Sequence, residues 1–163
     1  MINMGGIMDQ QYLELLQAMP IFGGVSQQAL SFLLTRCPEI EIAQNAYFFK
    51  EGEQADSLFI LERGTALVLK GRDIKLRYLV RGDCFGEMSL IDLNPRSASV
   101  RAIEPCIALE LSRQSLFALY EYDLEQFVII QMNLSREVSR RLRALDERLM
   151  SLDTELLKLI NVL

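Results

Sequence analysis

The chain of 163 residues contains no histidine. That absence removes Ser/His and Cys/His nucleophilic catalysis, histidine-ligated haem and the commonest zinc ligand. Cysteine is scarce: Cys37, Cys84 and Cys106 are odd in number and lack the close pairing of a metal knuckle. They read as small buried hydrophobes in a reducing cytoplasm. Positive charge is short as well. A formal net charge of -5 and a pI near 4.9 argue against a sequence-independent grip on DNA or RNA, which needs a positive surface facing the phosphates. No apolar run approaches the roughly 20 residues of a membrane-spanning helix, and nothing like a secretory signal precedes the cysteines. The expectation is a cytoplasmic binding protein that is not an enzyme and has neither a membrane nor a direct nucleic acid partner.

Half of the residues are hydrophobic, enough for one domain with a real core and an appendage. The opening MINMGGIM, residues 1–8, has no periodicity and reads as a loose start. From Asp9 to Met19 the residues Tyr12, Leu13, Leu15, Leu16 and Met19 fall at helical spacing until Pro20 stops the run. Ser26 is placed to cap a second helix carrying Ala29, Leu30, Leu33 and Leu34 and ending near Pro38. Short β-rich segments then follow, separated by turn residues: EIEIA, YFFK, SLFILE, TALVLK, IKLRYLV, SASVRA and CIALELS. This is a β-sandwich or barrel signature.

After Leu111 the β character ends, and Ser112 or Ser115 can cap a helix that carries Leu116, Phe117 and Tyr120. A long helical stretch runs on from there. Within it Val138, Leu142, Leu145, Leu149, Leu152, Leu156, Leu159 and Leu163 alternate at intervals of 4 and 3 residues, an unbroken heptad seam. With Leu142 at position a, Arg141 and Arg148 occupy g while Asp146 and Asp153 occupy e. Opposite charges then meet in a parallel dimer, so a homodimer through a parallel C-terminal coiled coil is expected. The domain reading is a loose segment 1–8, a β-rich domain with N-terminal helices over 9–122, and a dimerisation helix over 123–163.

The segment GDCFGEMSLIDLNPRSASVRA, Gly82 to Ala102, has the makings of a phosphate cradle. A short helix starting at Gly86 would offer free backbone N–H groups and a positive dipole end. Asn94-Pro95 can turn the chain back and bring Arg96, whose planar guanidinium suits phosphate oxygens, over the same place. Ser97 and the N–H of Ala98 add donors. Glu87 would repel a phosphate, so its natural use is to accept hydrogen bonds from a sugar hydroxyl. On these residues alone, a surface Glu/Arg ion pair is an equally good reading.

The arrangement F-G-E-x-x-L, a spacer, then P-R-S-A-x-V-x-A resembles the phosphate-binding cassette of the cyclic-nucleotide-binding domain family, in its catabolite activator-like form. The similarity extends to IFGGVSQQAL, the EGE turn at Glu51 to Glu53, SLFIL with ERG after it, and VRGDCFGE. The resemblance implies an α+β, mainly β fold: an eight-stranded, jelly-roll-like β-roll with N-terminal helices and a long C-terminal coiled-coil helix. It also implies that Glu87 holds the ribose 2′-hydroxyl and Arg96 the cyclic phosphate. Gly86, Ser97 and Ala98 would add phosphate contacts, with Phe85 and Met88 beside them. The base would be capped from the C-terminal helix by Arg141, Leu145 and Asp146. For Arg141 two uses stand level, stacking on the purine or an ion pair between helices.

The expected ligand is cyclic AMP, with cyclic GMP the alternative and no cofactor. The implied function is a stand-alone sensor that signals through its C-terminal helix to an unidentified downstream protein. Two other readings stay open: the ligand-binding part of a transcription regulator whose DNA-binding domain is missing, and a dimerisation module with a vestigial pocket.

Overall fold

The computed structural model describes residues 10–160, apart from the side chain of Leu159. The segment 1–8, Asp9 and Leu163 lie outside the described residues. The N-terminal part is helical: α1 (Gln10–Gln17), a 3-10 turn (Pro20–Phe22) and α2 (Gln27–Leu34). The Ser26 side chain caps α2 by accepting from the Ala29 N–H at 3.2 Å. Eight strands follow: β1 (Glu39–Ile42), β2 (Tyr47–Phe49), β3 (Ser57–Arg63), β4 (Ala66–Lys70), β5 (Ile74–Leu79), β6 (Cys84–Phe85), β7 (Ser99–Ala102) and β8 (Cys106–Ser112). A short helix, α3 (Met88–Ile91), interrupts them between β6 and β7. Two helices complete the chain, α4 (Arg113–Tyr122) and α5 (Leu124–Ile160).

The strands form two antiparallel four-stranded sheets, ordered β1-β8-β3-β6 and β2-β7-β4-β5. This is the expected β-roll. The period-2 alternation of a strand lets β3 serve two cores at once. Phe59 and Leu61 point into the roll with Phe49, Leu79, Phe85, Val100 and Ala108. Leu58 and Ile60 point out into a second cluster built with Leu16, Phe22, Leu30, Leu119, Ile130 and Leu134 of the helical layer. SLFIL is therefore a continuous apolar run because both faces are covered.

The three cysteines are free and buried, and burial pushes the Cys37 thiol up to about 12. Ser112 caps α4 through a 3.0 Å bond from the Ser115 N–H. Asp123 separates α4 from α5 and accepts from the Gln126 N–H at 3.1 Å. Helix α5 then docks on the N-terminal layer. Asn133 donates from Nδ2 to the carbonyls of Ile21 at 3.0 Å and Gly23 at 2.9 Å, while Ile130 and Leu134 fill the outer cluster beside it. Among the described residues no helix is long and apolar enough to cross a membrane.

Candidate functional site

The loop between β6 and β7 is built around the Arg96 side chain. Gly86, with φ of 79°, leaves β6 in the left-handed region, and a Cβ there would lie 2.5 Å from Arg96 Nη1. Only glycine combines that backbone with that approach. The same dihedral keeps Gly86 out of the helix, so α3 begins at Met88, two residues later than the sequence suggests. Asp92 accepts from the Asn94 N–H at 3.0 Å and Leu93 takes a φ of 61°, which turns the chain back toward the roll.

The EGE turn fixes the returning strand. The Arg96 N–H donates to the Glu53 carbonyl at 2.8 Å, and the Gly52 N–H donates to the Arg96 carbonyl at 2.9 Å. Glu51 in turn receives Lys70 Nζ at 2.7 Å and the Gly71 N–H at 2.9 Å. Lys70 Nζ also donates to the Ser97 carbonyl at 2.5 Å.

Arg96 is 5% exposed, which rules out an ordinary surface ion pair. Its Nη1 donates to the carbonyls of Ser57 at 2.7 Å and Gly86 at 2.8 Å. The guanidinium lies over the Phe49 ring, 4.0 Å from its centroid, with Phe59 at 5.7 Å. Its Nε is buried without a hydrogen-bond partner among the described residues. Burial pulls this guanidinium below its ordinary pKa, and the carboxylates that oppose the shift include Glu110, Glu53, Asp56 and Glu87. A buried cation held by neutral carbonyls, with an N–H to spare, is a ready partner for an anion.

Glu87, 5% exposed, does not pair with Arg96. Its Oε1 receives Arg141 Nη1 at 2.5 Å. Arg141 also donates from Nε to Glu137 Oε1 at 2.7 Å and from Nη2 to the Cys84 carbonyl. Burial alone would lower the Arg141 pKa, but Glu87 and Glu137 outweigh it and the net shift is upward. Arg140 holds the other oxygen of Glu137.

This arrangement is neither of the two uses expected of Arg141. The residue neither stands free for a purine face nor reaches outward for Asp146 of a second helix, because Glu87 is a buried carboxylate that needs a cation. The side chain turns inward and ties α5 to the cradle.

The other expected site residues divide. Phe85, 2% exposed, belongs to the inner core, edge-on to Phe48 with ring centroids 5.0 Å apart. Ser97 and Met88 are exposed and joined by a 3.4 Å contact from Oγ to Sδ, and Ala98 is half-buried. Leu145 and Asp146 are exposed, one turn beyond Arg141. Sequence reading missed Phe49 and Phe59 beneath Arg96, and Glu137 beside Arg141. A buried aromatic under a cation has the same sequence signal as any core aromatic.

The sequence model of the cyclic nucleotide-binding domain matches residues 39–123, a little over half of the chain. The chain belongs to the cyclic nucleotide-binding domain family. It is 29% identical over 131 residues to the cyclic AMP receptor protein of Thermus thermophilus, covering 78% of this chain and 59% of that protein. A 68-residue stretch is 44% identical to the cGMP-dependent protein kinase of Eimeria tenella, covering 41% of this chain and 7% of the kinase. Among solved structures, a cyclic nucleotide-binding domain from Methylobacillus flagellatus superposes with a TM-score of 0.77 at 25% identity, over 85% of this chain and 82% of that one. The chain thus spans less than two thirds of the length of each of these two curated relatives.

Proposed function

We propose that the chain is a non-catalytic cytoplasmic sensor of a 3′,5′-cyclic purine mononucleotide. The carrying observation is Arg96, buried on Phe49 with an unused N–H and bonded to the carbonyl of Gly86, the residue before Glu87. In this reading Arg96 takes the cyclic phosphate, Glu87 accepts from the ribose 2′-hydroxyl, and Ser97 and the Ala98 N–H complete the phosphate shell. Cyclic AMP, in the name of the Thermus thermophilus receptor, is the first ligand to test. Cyclic GMP, in the name of the Eimeria tenella kinase, is the second.

The output follows from Arg141. A ribose hydroxyl that donates to Glu87 shares with Arg141 a carboxylate whose Oε1 is already bonded, so ligand changes how firmly α5 is held. The exposed leucines of α5, Leu142 to Leu156, then serve as a parallel homodimer seam, and a downstream protein reads the dimer's geometry. Reciprocity requires that dimerisation alter ligand affinity by the same factor.

Calorimetry with cyclic AMP and cyclic GMP on wild type and Arg96→Ala tests the proposal. Loss of a buried, charge-assisted phosphate contact is expected to weaken binding by at least about tenfold. Equal binding by the two proteins overturns the assignment, provided circular dichroism shows both folded.

A further inference from the structure

Lys70, the last residue of β4, reaches across the sheet to the loop that carries Ser97 and Ala98. The antiparallel register pairs Leu69 with Ser99, so the next residues along, Lys70 and Ala98, lie across from each other. The Lys70 Nζ donates to the Ser97 carbonyl at 2.5 Å and to Glu51 Oε1 at 2.7 Å. Glu51 also accepts from the Gly71 N–H, 2.9 Å from its Oε2, and the two contacts hold its carboxyl below the usual carboxylate range.

As an ion pair this contact contributes little, because the Lys70 and Glu51 side chains are 49% and 35% exposed. The pair leaves unexplained the second bond, to a main-chain carbonyl at the cradle. The backbone on either side of that carbonyl is already fixed. Arg96 is braced through both its N–H and its carbonyl by the EGE turn. The Ser99 hydroxyl accepts from the Glu51 N–H at 2.9 Å, and β7 pairs with β4 from Ser99 onward. The Ser97–Ala98 peptide lies between these anchors, and Lys70 holds it.

A peptide unit is planar and trans, so its C=O and N–H point to opposite sides. The carbonyl held by Lys70 belongs to Ser97, and the N–H of the same unit belongs to Ala98, a phosphate donor in the proposed site. Turning one turns the other. A cation on the oxygen also draws electron density from the nitrogen, which makes the N–H a stronger donor.

We propose that Lys70, steadied by Glu51, is a positioning residue: it sets the Ser97–Ala98 peptide so that the Ala98 N–H faces one exocyclic phosphate oxygen of the cyclic nucleotide. This rests on the pocket being a cyclic-nucleotide site. Without Lys70 the peptide can rotate between its anchors, and the ligand must order it on binding.

The full chain is titrated as wild type, Lys70→Met and Glu51→Gln with cyclic AMP and cyclic GMP, each also as its Rp and Sp phosphorothioates. In a phosphorothioate, sulfur, a weak acceptor, replaces one of the two exocyclic oxygens. Both nucleotides carry the same phosphate, so the pattern is expected with either. Lys70→Met should raise the dissociation constant of the oxygen form about threefold. The same factor should appear with one diastereomer and shrink toward one with the other, whose sulfur already stands at the Ala98 N–H. Glu51→Gln removes a negative charge near the ligand, so simple attraction would tighten anion binding; release of Lys70 is expected to weaken it instead. Dissociation constants come from the shape of the titration and are insensitive to the fraction of a sample that folds.

An equal penalty with both diastereomers would make Lys70 a contributor of charge or of fold rather than of orientation. Unchanged affinity in Lys70→Met, or unchanged or tighter binding by Glu51→Gln, would also overturn the inference. In each of these cases the sensor reading stands. A wild-type protein that binds neither nucleotide removes the nucleotide reading itself, and this inference with it.

Discussion

Residues 124–141 and 142–160 belong to one helix, yet they live in different surroundings. The first half is packed: Ile130 is fully buried, Leu134 is 2% exposed, Asn133 is bonded to the N-terminal layer, and Arg141, itself held by Glu137, is bonded to the roll. The second half is joined to the roll by a 3.5 Å contact from Arg148 Nη1 to the Leu76 carbonyl. Its leucines at 142, 145, 149, 152 and 156 are all more than half exposed. Both halves carry apolar residues at helical spacing. In the first, that spacing is explained by the chain's own core, whereas in the second it has no such explanation, since about five turns of isolated helix are marginal in water without packing.

The contrast can be tested by removing one contact at a time. Ile130→Ala should cost about 2–5 kcal/mol of unfolding free energy through a cavity in the outer core. A denaturant midpoint close to wild type would mean that the proximal half is not docked as described. Asn133→Ala, which strips the Ile21 and Gly23 carbonyls of their buried donor, should cost about 1–3 kcal/mol. Hydrogen exchange should then quicken in the first turns of α5 before the strands respond. The smallest effect on the protomer belongs to Leu149→Ser, within about 0.5 kcal/mol for an exposed site. Sedimentation should nonetheless show this variant losing the proposed dimer. If it sediments as wild type does, the distal stripe is not the seam.

Much of the architecture is legible in the sequence, where local signals agree with tertiary demands. Ser26 caps the helix it was expected to cap, and of the two serines offered for the later start, Ser112 and Ser115, it is Ser112 that caps α4; the roll with its helical flanks was implied by the cassette and its neighbours. The EGE motif acquires a physical role as the brace that holds the Arg96 backbone. Legibility fails where a side chain's use depends on its three-dimensional neighbours. Heptad position made Arg141 look like an outward charge, but a buried carboxylate 54 residues away decides its rotamer. The two-residue strand β6 is too short for periodicity to show. Glu137 resembles any helix-surface glutamate until the fold buries it to 8% exposure.

The Glu87–Arg141 bond also ties distant stretches of the chain into one unit. Arg141 follows Glu87 by 54 residues and donates both to its carboxylate and to the Cys84 carbonyl, so β6, the turn before α3 and the middle of α5 are pinned at a single side chain. In the proposed sensor a shift of the cradle and a shift of α5 are therefore one event rather than two.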